Sequence, residues 1–337
     1  MPKVNAIVVG TGGMARNHIR RMLQQARTTS IQALVEVSEP SQVSTRALFK
    51  EAGRPCPPFY RSIRDLLKNQ PAPDAAFIVT PHKFHFDHAR SCLSAGLDVL
   101  LEKPMVINAR QAQRLIDVHH RSGRILVVAF QGGLSPAVHK AKKLIEEGRI
   151  GRVTGVSAYI HQSWKKSQIG KWRQDPEISG GGFLFDSGSH MVNTIVTLIG
   201  EEVKEVTAIL DRAGTPVEIN SSVSGKFRNG VLFSMAGFGD SIGCVGSIRV
   251  FGDEGIIETG PWGKFLRIRG NNEVEYKDVS FPRSSGVWQQ FLRIRAGKMV
   301  NPSPPQVGLR FAQFMDMIRR SADSGRKVGR RFPAAGN

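Results

Sequence analysis

A carboxylate and an imidazole four residues apart are the first candidates for chemistry in this sequence. They are Asp186 and His190, within the segment GGGFLFDSGSH at residues 180–190. On a helix, this spacing would place both side chains on one face, one turn apart. A carboxylate orients an imidazole and stabilises its protonated form, and the ring then moves a proton near neutral pH. The alternative is an ordinary helix with a hydrogen-bonded histidine, preceded by a flexible loop.

Three consecutive glycines, Gly180, Gly181 and Gly182, come just before this pair. Because glycine lacks a Cβ atom, they permit a close backbone approach or an unusual turn where a ligand could sit. Short motifs recur by chance, so the elements around this segment decide its interpretation.

The start of the chain has the order strand, glycine turn, helix. A β-branched apolar run at residues 4–9 is followed by GTGGMA at 10–15 and then by a helical pattern. Gly10, Gly12 and Ala15 match the G-x-G-x-x-G/A dinucleotide fingerprint, in which the glycines allow a tight turn and a close approach to the pyrophosphate. The pyrophosphate then lies at the helix N-terminus, where N–H groups and the helix dipole favour anions.

An acidic residue near the end of the second predicted strand points to the identity of the dinucleotide. The strand is predicted over residues 31–37, and Glu39 follows it. An acid here accepts hydrogen bonds from the adenosine ribose, which favours NAD over NADP. A surface acid in a turn is the alternative for Glu39, and Arg46 lies too far along the chain to be a convincing ligand of a 2′-phosphate. NAD is therefore the predicted cofactor, with NADP possible.

Two further predicted strands of this half end in polar residues. The apolar run at 74–79 leads into TPHKFH at 80–85, and the run at 98–104 ends in Glu102, Lys103 and Pro104. Ligands bind at the carboxyl ends of strands in open parallel sheets. At that edge Lys103 could hydrogen-bond a substrate hydroxyl or act as a base, although a surface lysine is the alternative.

The overall composition favours a soluble two-domain protein of 337 residues. No apolar run is long enough to span a bilayer, and the N-terminus lacks the features of a signal peptide. Three scattered cysteines argue against a disulfide framework or a metal site and predict a cytoplasmic location. The net charge of +19 comes without a helix-turn-helix or zinc-finger spacing, so no nucleic-acid or membrane partner is predicted; a basic surface suited to acidic metabolites fits better.

Taken together, these segments resemble the Gfo/Idh/MocA family of nicotinamide-dependent oxidoreductases. The motifs that carry the resemblance are GTGGMA at 10–15, TPHKFH at 80–85, EKP at 102–104, WRQDPEISGGG at 172–182, DSGSH at 186–190 and the helical segment 308–328. The resemblance implies an α/β protein with an N-terminal Rossmann domain, a doubly wound parallel sheet, over residues 1–125. It also implies a substrate-binding and oligomerisation domain over 126–337, built on an open, mostly antiparallel sheet that pairs in a homodimer or homotetramer.

The resemblance also implies roles for individual residues. Lys103, Asp186 and His190 match the catalytic residues of the family, and Trp172 and Arg173 match a pattern that lies near its active site. An aromatic face can stack on a sugar ring, and a guanidinium can bind hydroxyls or a carboxylate. The implied cofactor-binding residues are Gly10, Thr11, Gly12, Gly13, Met14, Ala15, Glu39, Thr80, Pro81, His82, His85, Glu102 and Lys103.

The implied activity is hydride transfer between a nicotinamide cofactor and a sugar, polyol, cyclitol or sugar derivative. Two alternatives from the same family are an NAD-dependent glycosidase that uses transient oxidation and a non-catalytic dinucleotide-binding regulator. The segment FQGGLSPA at 130–137 departs from the asparagine–arginine pattern often seen there, so no substrate contact is inferred from it.

Overall fold

The computed structural model describes residues 3–330 and divides the chain into two compact units. The first comprises the residues up to Ala129 together with Ser285–Leu309, and the second comprises Phe130–Ser284 and the residues from Arg310 onward. The boundary predicted at 125/126 lies close to the first of these junctions. The segment 285–309, which the sequence assigned to the second domain, instead packs with the first unit.

A parallel sheet forms the centre of the first unit. Within the described residues it has six strands in the order β3-β2-β1-β4-β5-β6, and every neighbouring pair is parallel. These strands are β1 (Val4–Val9), β2 (Thr29–Val35), β3 (Phe59–Tyr60), β4 (Ala75–Ile78), β5 (Asp98–Leu101) and β6 (Leu126–Val128). The four-residue strands β4 and β5 are buried at every position, as expected for strands covered on both faces.

Helices connect and cover these strands. They are α1 (Gly13–Leu23), α2 (Glu39–Glu51), α3 (Ile63–Asn69), α4 (His85–Ser94) and α5 (Ala109–Ser122). Serine or asparagine caps three of them, because Ser38, Ser62 and Asn108 each accept a hydrogen bond from a first-turn N–H group. This strand–helix alternation confirms the predicted doubly wound Rossmann domain.

The segment 285–309 belongs to the first unit because its side chains are tied to the parallel sheet. The indole of Trp288 donates a hydrogen bond to the Thr29 hydroxyl at 2.8 Å and stacks on Phe77 at 6.0 Å between ring centroids. Arg295 makes a largely buried ion pair with Asp98 at 2.7 Å. These contacts join residues far apart in sequence, so no local pattern could have predicted them.

A mixed, mostly antiparallel sheet forms the second unit. Within the described residues it has nine strands in the order β14-β13-β12-β11-β7-β10-β9-β8-β15, with only the β7–β10 pair parallel. These strands are β7 (Val153–Ser163), β8 (Val203–Asp211), β9 (Asn220–Phe227), β10 (Leu232–Phe238), β11 (Asp240–Gly252), β12 (Gly255–Thr259), β13 (Leu266–Gly270), β14 (Lys277–Asp278) and β15 (Val328–Gly329). The predicted open sheet is thus confirmed.

The remaining helices follow the chain in order. They are α6 (Pro136–Glu146), α7 (Trp164–Ser167), α8 (Pro176–Ser179), α9 (Phe183–Asp186), α10 (Ser189–Ile199), α11 (Val287–Arg295) and α12 (Pro305–Ser324). From Arg310 onward α12 packs against one face of the mixed sheet: Phe314 contacts Phe233 edge-on at 5.5 Å, and the Ser321 hydroxyl accepts a hydrogen bond from the Ala208 N–H.

The opposite face of the mixed sheet carries apolar side chains that remain exposed in the single chain. The pairing registers place them on one face, and Ile209 is 71% and Tyr159 43% exposed. The others on this face are Leu232, Phe238 and Val245.

The sequence suggested one continuous helix for the segment that carries Asp186 and His190, but the structure has two helices there. Helix α9 ends at Asp186 and α10 begins at Ser189, and the two residues between them, Ser187 and Gly188, keep αR backbone angles. The break centres on Gly188, whose N–H donates to the Phe183 carbonyl. A Cβ atom at residue 188 would lie 2.6 Å from the Leu184 carbonyl oxygen, so the tight turn requires glycine.

Residues 3–330 contain neither a candidate membrane span nor a candidate metal site. None of the helices there combines the length and the hydropathy that crossing a membrane requires. Nor does this part of the chain bring together three or more His, Cys, Asp or Glu side chains in an arrangement that could hold a metal ion.

Candidate active site

The turn after β1 has the conformation that the dinucleotide fingerprint requires. Gly10 adopts a φ of 86°, and a Cβ atom there would lie 2.6 Å from the Val79 carbonyl oxygen. Only glycine therefore fits at the crossing of β1 and the turn after β4. Ala15, the small third residue of the fingerprint, is fully buried against the sheet.

The first turn of α1 can accept a pyrophosphate. Gly12 precedes the helix without capping it by a side chain, so its first N–H groups have no such partner. Cβ atoms built on Gly12 and Gly13 would meet nothing within 4 Å, so the space beside this turn is open. The first turn contains no acidic side chain, and Met14 is half exposed. Open space, free N–H groups and the positive end of the helix dipole fit an anionic dinucleotide.

The acid at the end of β2 is Glu36, not Glu39. The strand ends at Val35, two residues earlier than predicted, and Glu39 is an exposed residue at the start of α2. One carboxylate oxygen of Glu36 accepts hydrogen bonds from the N–H and the hydroxyl of Thr11, at 2.8 and 3.1 Å. The other accepts from the N–H groups of Val37 and Ser38. Glu36 thus lies against the glycine turn, where a ribose-binding acid belongs.

The TPHKFH segment begins the next loop and passes through a 3-10 turn at His82–Phe84 into α4. Thr80 and Pro81 are partly exposed at the carboxyl end of β4, as expected for residues that face a ligand. The Thr80 side chain hydrogen-bonds the His88 ring at 3.1 Å, and burial lowers the pKa of His88 to about 4. His82 is buried, with 3% of its surface exposed.

His85, predicted to bind the cofactor, has a different position. It is completely buried. Its Nδ1 lies 2.7 Å from the Pro104 carbonyl oxygen and its Nε2 lies 2.8 Å from the Thr80 carbonyl oxygen. Both ring nitrogens are therefore engaged by the main chain, and the prediction of a direct cofactor contact is not supported for His85.

Glu102 also uses its carboxylate within the protein. One oxygen is 2.8 Å from Nε2 of His18 on α1, and the other accepts the N–H of Lys103 at 3.1 Å. His18 packs against Phe77, with 4.6 Å between ring centroids and the ring planes tilted by 46°. Glu102 therefore links the helix that follows the glycine turn to the backbone of Lys103.

The charge state of Glu102 follows from these contacts. Burial alone, the largest single effect, would raise the pKa of this carboxyl group. The hydrogen bond and charge of His18, the charge of Lys103 and the Lys103 N–H together outweigh it and hold the pKa below its usual value. Glu102 is thus an ionised group beside Lys103.

In the second unit, Asp186 is buried and bound by two donors. Its Oδ2 accepts hydrogen bonds from the Trp164 indole and from Nε of Arg173, both at 2.9 Å. The guanidinium of Arg173 also lies 4.3 Å from the centroid of the Trp172 ring. Arg173 is therefore the ion-pair partner of Asp186, whereas the sequence suggested that it binds substrate directly.

His190 is the second residue of α10 and is 8% exposed. Its imidazole lies 6.1 Å from the Trp262 ring, centroid to centroid, and the two planes are tilted by 52°. Trp172 begins a 3-10 turn over Trp172–Gln174 and is partly exposed. Of the predicted residues in this unit, Trp172, Arg173 and Asp186 come together, and His190 lies just beyond the Gly188 turn.

The three-glycine turn rests on a carboxylate that the sequence did not single out, Glu218. One of its oxygens accepts the Gly182 N–H at 2.6 Å, and the other accepts the Phe185 N–H at 3.3 Å. A Cβ atom at residue 182 would lie 1.9 Å from the Glu218 carbonyl oxygen, so no other residue fits there. Burial raises the pKa of Glu218, although the N–H groups and the nearby Arg319 oppose this. Glu218 lies 36 positions after Gly182 in the chain, so no local sequence pattern linked the two residues.

Comparison with known proteins gives the class of protein that this fold and site define. Residues 4–130 match the oxidoreductase family with an NAD-binding Rossmann fold, and residues 138–258 match the GFO/IDH/MocA C-terminal domain. The chain therefore belongs to the Gfo/Idh/MocA family, as its motifs predicted, and its first unit is an NAD-binding Rossmann domain.

Individual curated relatives match only part of this chain. A 1-carboxy-3-chloro-3,4-dihydroxycyclo hexa-1,5-diene dehydrogenase from Comamonas testosteroni is 33% identical over 203 residues, which are 59% of this chain and 49% of that protein. The chain thus spans about half the length of the curated relatives it matches.

Two solved structures match almost the whole chain. An aldose-aldose oxidoreductase from Caulobacter crescentus, complexed with glycerol, has a TM-score of 0.83 at 23% identity and covers 97% of this chain and 99% of that one. A levoglucosan dehydrogenase complexed with NADH and levoglucosan has the same TM-score and coverage at 22% identity. At these identities the likeness concerns the fold.

Proposed function

We propose that this protein is an NAD-dependent dehydrogenase that transfers a hydride between the nicotinamide and a hydroxyl-bearing carbon of a sugar, polyol, cyclitol or sugar derivative. One observation carries the proposal: the open, uncapped first turn of α1 lies at the same sheet edge as Lys103. The dinucleotide would bind at this edge, and Lys103, which follows β5, places a charged group at the same edge.

Residues of the first unit would hold the cofactor. The N–H groups that begin α1 would bind the pyrophosphate beside Gly12 and Gly13. Glu36 would accept hydrogen bonds from the adenosine ribose, and this role replaces the one predicted for Glu39. Thr80 and Pro81 would line the next part of the edge. The bound nicotinamide supplies the hydride chemistry, and the protein supplies binding, orientation and proton transfer.

The proposed proton transfer uses Lys103, Asp186 and His190, as the family resemblance implies. An imidazole nitrogen of His190 takes the proton of the substrate hydroxyl as that carbon is oxidised, and it returns the proton in the reverse reaction. The ammonium of Lys103 donates a hydrogen bond to the reacting oxygen and stabilises the negative charge that develops there.

The contacts of Asp186 give it a proposed role in addition to the orientation of the His190 imidazole that the family resemblance implies. Its carboxylate binds the Trp164 indole and Arg173, so it fixes the loop that carries Trp172. We assign Asp186 both to the orientation of the His190 imidazole and to the organisation of the loop that carries Trp172. Trp172 then offers its ring face to the apolar side of a sugar.

The substrate class rests on the chemistry that the relatives share. Their names include a dihydroxycyclohexadiene, an aldose and levoglucosan, all of which carry hydroxyl groups on neighbouring carbons. The net charge of +19 would favour acidic members of this class, such as sugar acids or sugar phosphates. A transient-oxidation glycosidase and a non-catalytic regulator, the two alternatives, are not favoured, since these relatives are named as dehydrogenases and oxidoreductases.

We also propose that the protein is a cytoplasmic homodimer or homotetramer. The exposed apolar face of the mixed sheet, with Ile209, Tyr159, Leu232, Phe238 and Val245, supports the assembly. Three cysteines without a disulfide among the described residues accord with a reducing compartment.

The experiment is a spectrophotometric assay of nicotinamide reduction by the purified protein. NAD and NADP are tested in parallel against cyclitols, aldoses, sugar acids and sugar phosphates. Sustained turnover with NAD and at least one polyhydroxy compound supports the proposal. Tight retention of the cofactor through purification, with no net reduction but cleavage of a glycoside, would support the glycosidase instead and would overturn it.

A further inference from the structure

A buried histidine joins the two loops that form the proposed cofactor edge. His85 has no exposed surface. Its two ring nitrogens reach the carbonyl oxygens of Pro104 and Thr80, at 2.7 and 2.8 Å. Pro104 follows Lys103 after β5, and Thr80 follows β4, so one side chain spans the ends of two neighbouring strands.

The chemistry of these bonds is directional. A carbonyl oxygen accepts hydrogen bonds and cannot donate, so a ring nitrogen bonds it only when that nitrogen carries a hydrogen. Burial lowers the pKa of His85, although the two carbonyl contacts and the charge of Glu102 oppose that shift, so the ring is neutral and donates from one nitrogen. We assign that hydrogen to Nδ1, whose contact with the Pro104 carbonyl is the shorter of the two.

The same loop is held from its other side by Glu102. Its carboxylate accepts the Lys103 N–H at 3.1 Å and is itself anchored to His18 at 2.8 Å. The main chain on both sides of the Lys103 side chain is therefore tied down: the N–H by Glu102 and the carbonyl of the next residue by His85. Neither contact involves the Lys103 ammonium.

We propose that His85 is a positioning residue: its hydrogen bond to the Pro104 carbonyl fixes the backbone that carries Lys103, and the contact of its other ring nitrogen with the Thr80 carbonyl aligns this loop with the loop after β4. This inference rests on the role proposed for Lys103. His85 itself contacts neither cofactor nor substrate. Since a displacement of about 1 Å of a catalytic group can cost about 10²-fold in rate, loss of this link should affect turnover more than cofactor binding.

Two amide substitutions separate the two bonds. In His85→Asn the side-chain NH₂ takes the place of Nδ1 and can still donate to Pro104. In His85→Gln it takes the place of Nε2 and can still donate to Thr80. His85→Ala removes both contacts, and His120→Asn, on the exposed side of α5, is the matched histidine control.

The first measurement is amide hydrogen exchange of the peptide that covers residues 101–106, which needs no substrate. Because a lost hydrogen bond is worth about 1 kcal/mol, His85→Gln and His85→Ala should exchange there about five- to tenfold faster. His85→Asn and His120→Asn should exchange like the native protein. Equal rates in all five proteins would overturn the proposal, whatever the enzyme's substrate proves to be.

The second measurement is the split between kcat and the dissociation constant of NADH. We expect His85→Gln to lower kcat by about 10²-fold with NADH affinity within about threefold, and His85→Asn to restore most of the loss. If kcat falls equally in both amide variants, in step with their fall in Tm, the role of His85 is purely structural. That result would contradict the proposal. If no substrate is found for the native protein, the proposed function fails while the exchange result still decides the role of His85.

Discussion

Two glutamates three positions apart, Glu36 and Glu39, differ in what surrounds them. Glu36 is partly buried, and its two oxygens accept four hydrogen bonds, two from Thr11 in the glycine turn and two from the N–H groups of Val37 and Ser38. Glu39 is exposed in the first turn of α2. The difference arises because β2 ends two residues earlier than the hydrophobic pattern suggested, and strand ends are the least reliable part of such a prediction.

The first prediction concerns this pair. Glu36→Gln removes a charge from the proposed ribose site, and hydrogen bonds to charged groups are worth about 1.5–3 kcal/mol, so we expect NADH affinity to fall at least about tenfold. Glu39→Gln, the matched control, should leave it unchanged. Titration of NADH fluorescence measures both. If Glu39→Gln alone weakened binding, the acid inferred from the sequence would be correct and Glu36 would have only a structural role.

A second prediction at this scale tests the proton-transfer groups. His190→Ala should lower kcat by about 10²–10⁴-fold, since it removes the proposed acid–base group, and NADH should still bind. Lys103→Met should also reduce kcat more than NADH affinity. Steady-state kinetics and a separate NADH titration distinguish the two effects. Unchanged turnover in His190→Ala would exclude His190 from proton transfer, and loss of NADH binding alone in Lys103→Met would make Lys103 a cofactor ligand.

At the scale of elements, the turn between α8 and α9 shows what local pattern could and could not predict. The three glycines correctly indicated an unusual backbone, and Gly182 indeed lies against another part of the chain. The partner, Glu218, lies far away in sequence and precedes β9, so only the folded structure reveals it. The break at Gly188 was missed although its cause is local, because the steric demand of Leu184, four residues earlier, exists only in the folded turn.

The buried Glu218 gives a prediction about pH. Burial raises its pKa above the ordinary value of 4.5. The proton is therefore held more tightly in the folded than in the unfolded chain, and the stability from this residue is present below pH 4.5 and is lost as the pH rises through the raised pKa. Glu218→Gln stays uncharged, so its free energy of unfolding should increase relative to the native protein as pH rises above 4.5.

Urea denaturation across this pH range checks the prediction, with Glu254→Gln as an exposed control. The control should show no such relative gain. A Glu218→Gln protein that lost stability relative to the native chain as the pH rose would mean that the carboxylate form is the one the turn prefers.

At the scale of the whole molecule, the sequence predicted both halves of the architecture. β-branched runs and glycine turns indicated the parallel sheet, and alternating polar and apolar residues indicated the hairpin of β9 and β10. The return of residues 285–309 to the first unit was not predictable, because it depends on the buried Trp288–Thr29 and Arg295–Asp98 contacts. Within the candidate site, the glycine turn and the sheet-edge loops were predicted, whereas the supporting side chains Trp164, His18 and Glu218 were not.

The open face of the mixed sheet leads to a prediction about assembly. Apolar side chains on one exposed surface indicate an interface, and Ile209 is 71% exposed in the single chain. We expect sedimentation to give a dimer or tetramer for the native protein and a smaller species for Ile209→Lys combined with Tyr159→Lys. Lys204→Glu, elsewhere on β8, serves as a charge-change control. A native monomer, or an unchanged oligomer in the double variant, would contradict an interface on this face.

The central claim is hydride transfer to the nicotinamide, and isotope transfer tests it most directly. A sugar or cyclitol that the enzyme oxidises is prepared with deuterium on the reacting carbon and incubated with the enzyme and NAD, and the nicotinamide product is analysed by mass spectrometry. We expect the deuterium to move to the reduced nicotinamide, since the C–D bond breaks with both electrons while the hydroxyl proton leaves separately. A reduced nicotinamide without deuterium, or deuterium lost to water while the nicotinamide stays oxidised, would contradict it.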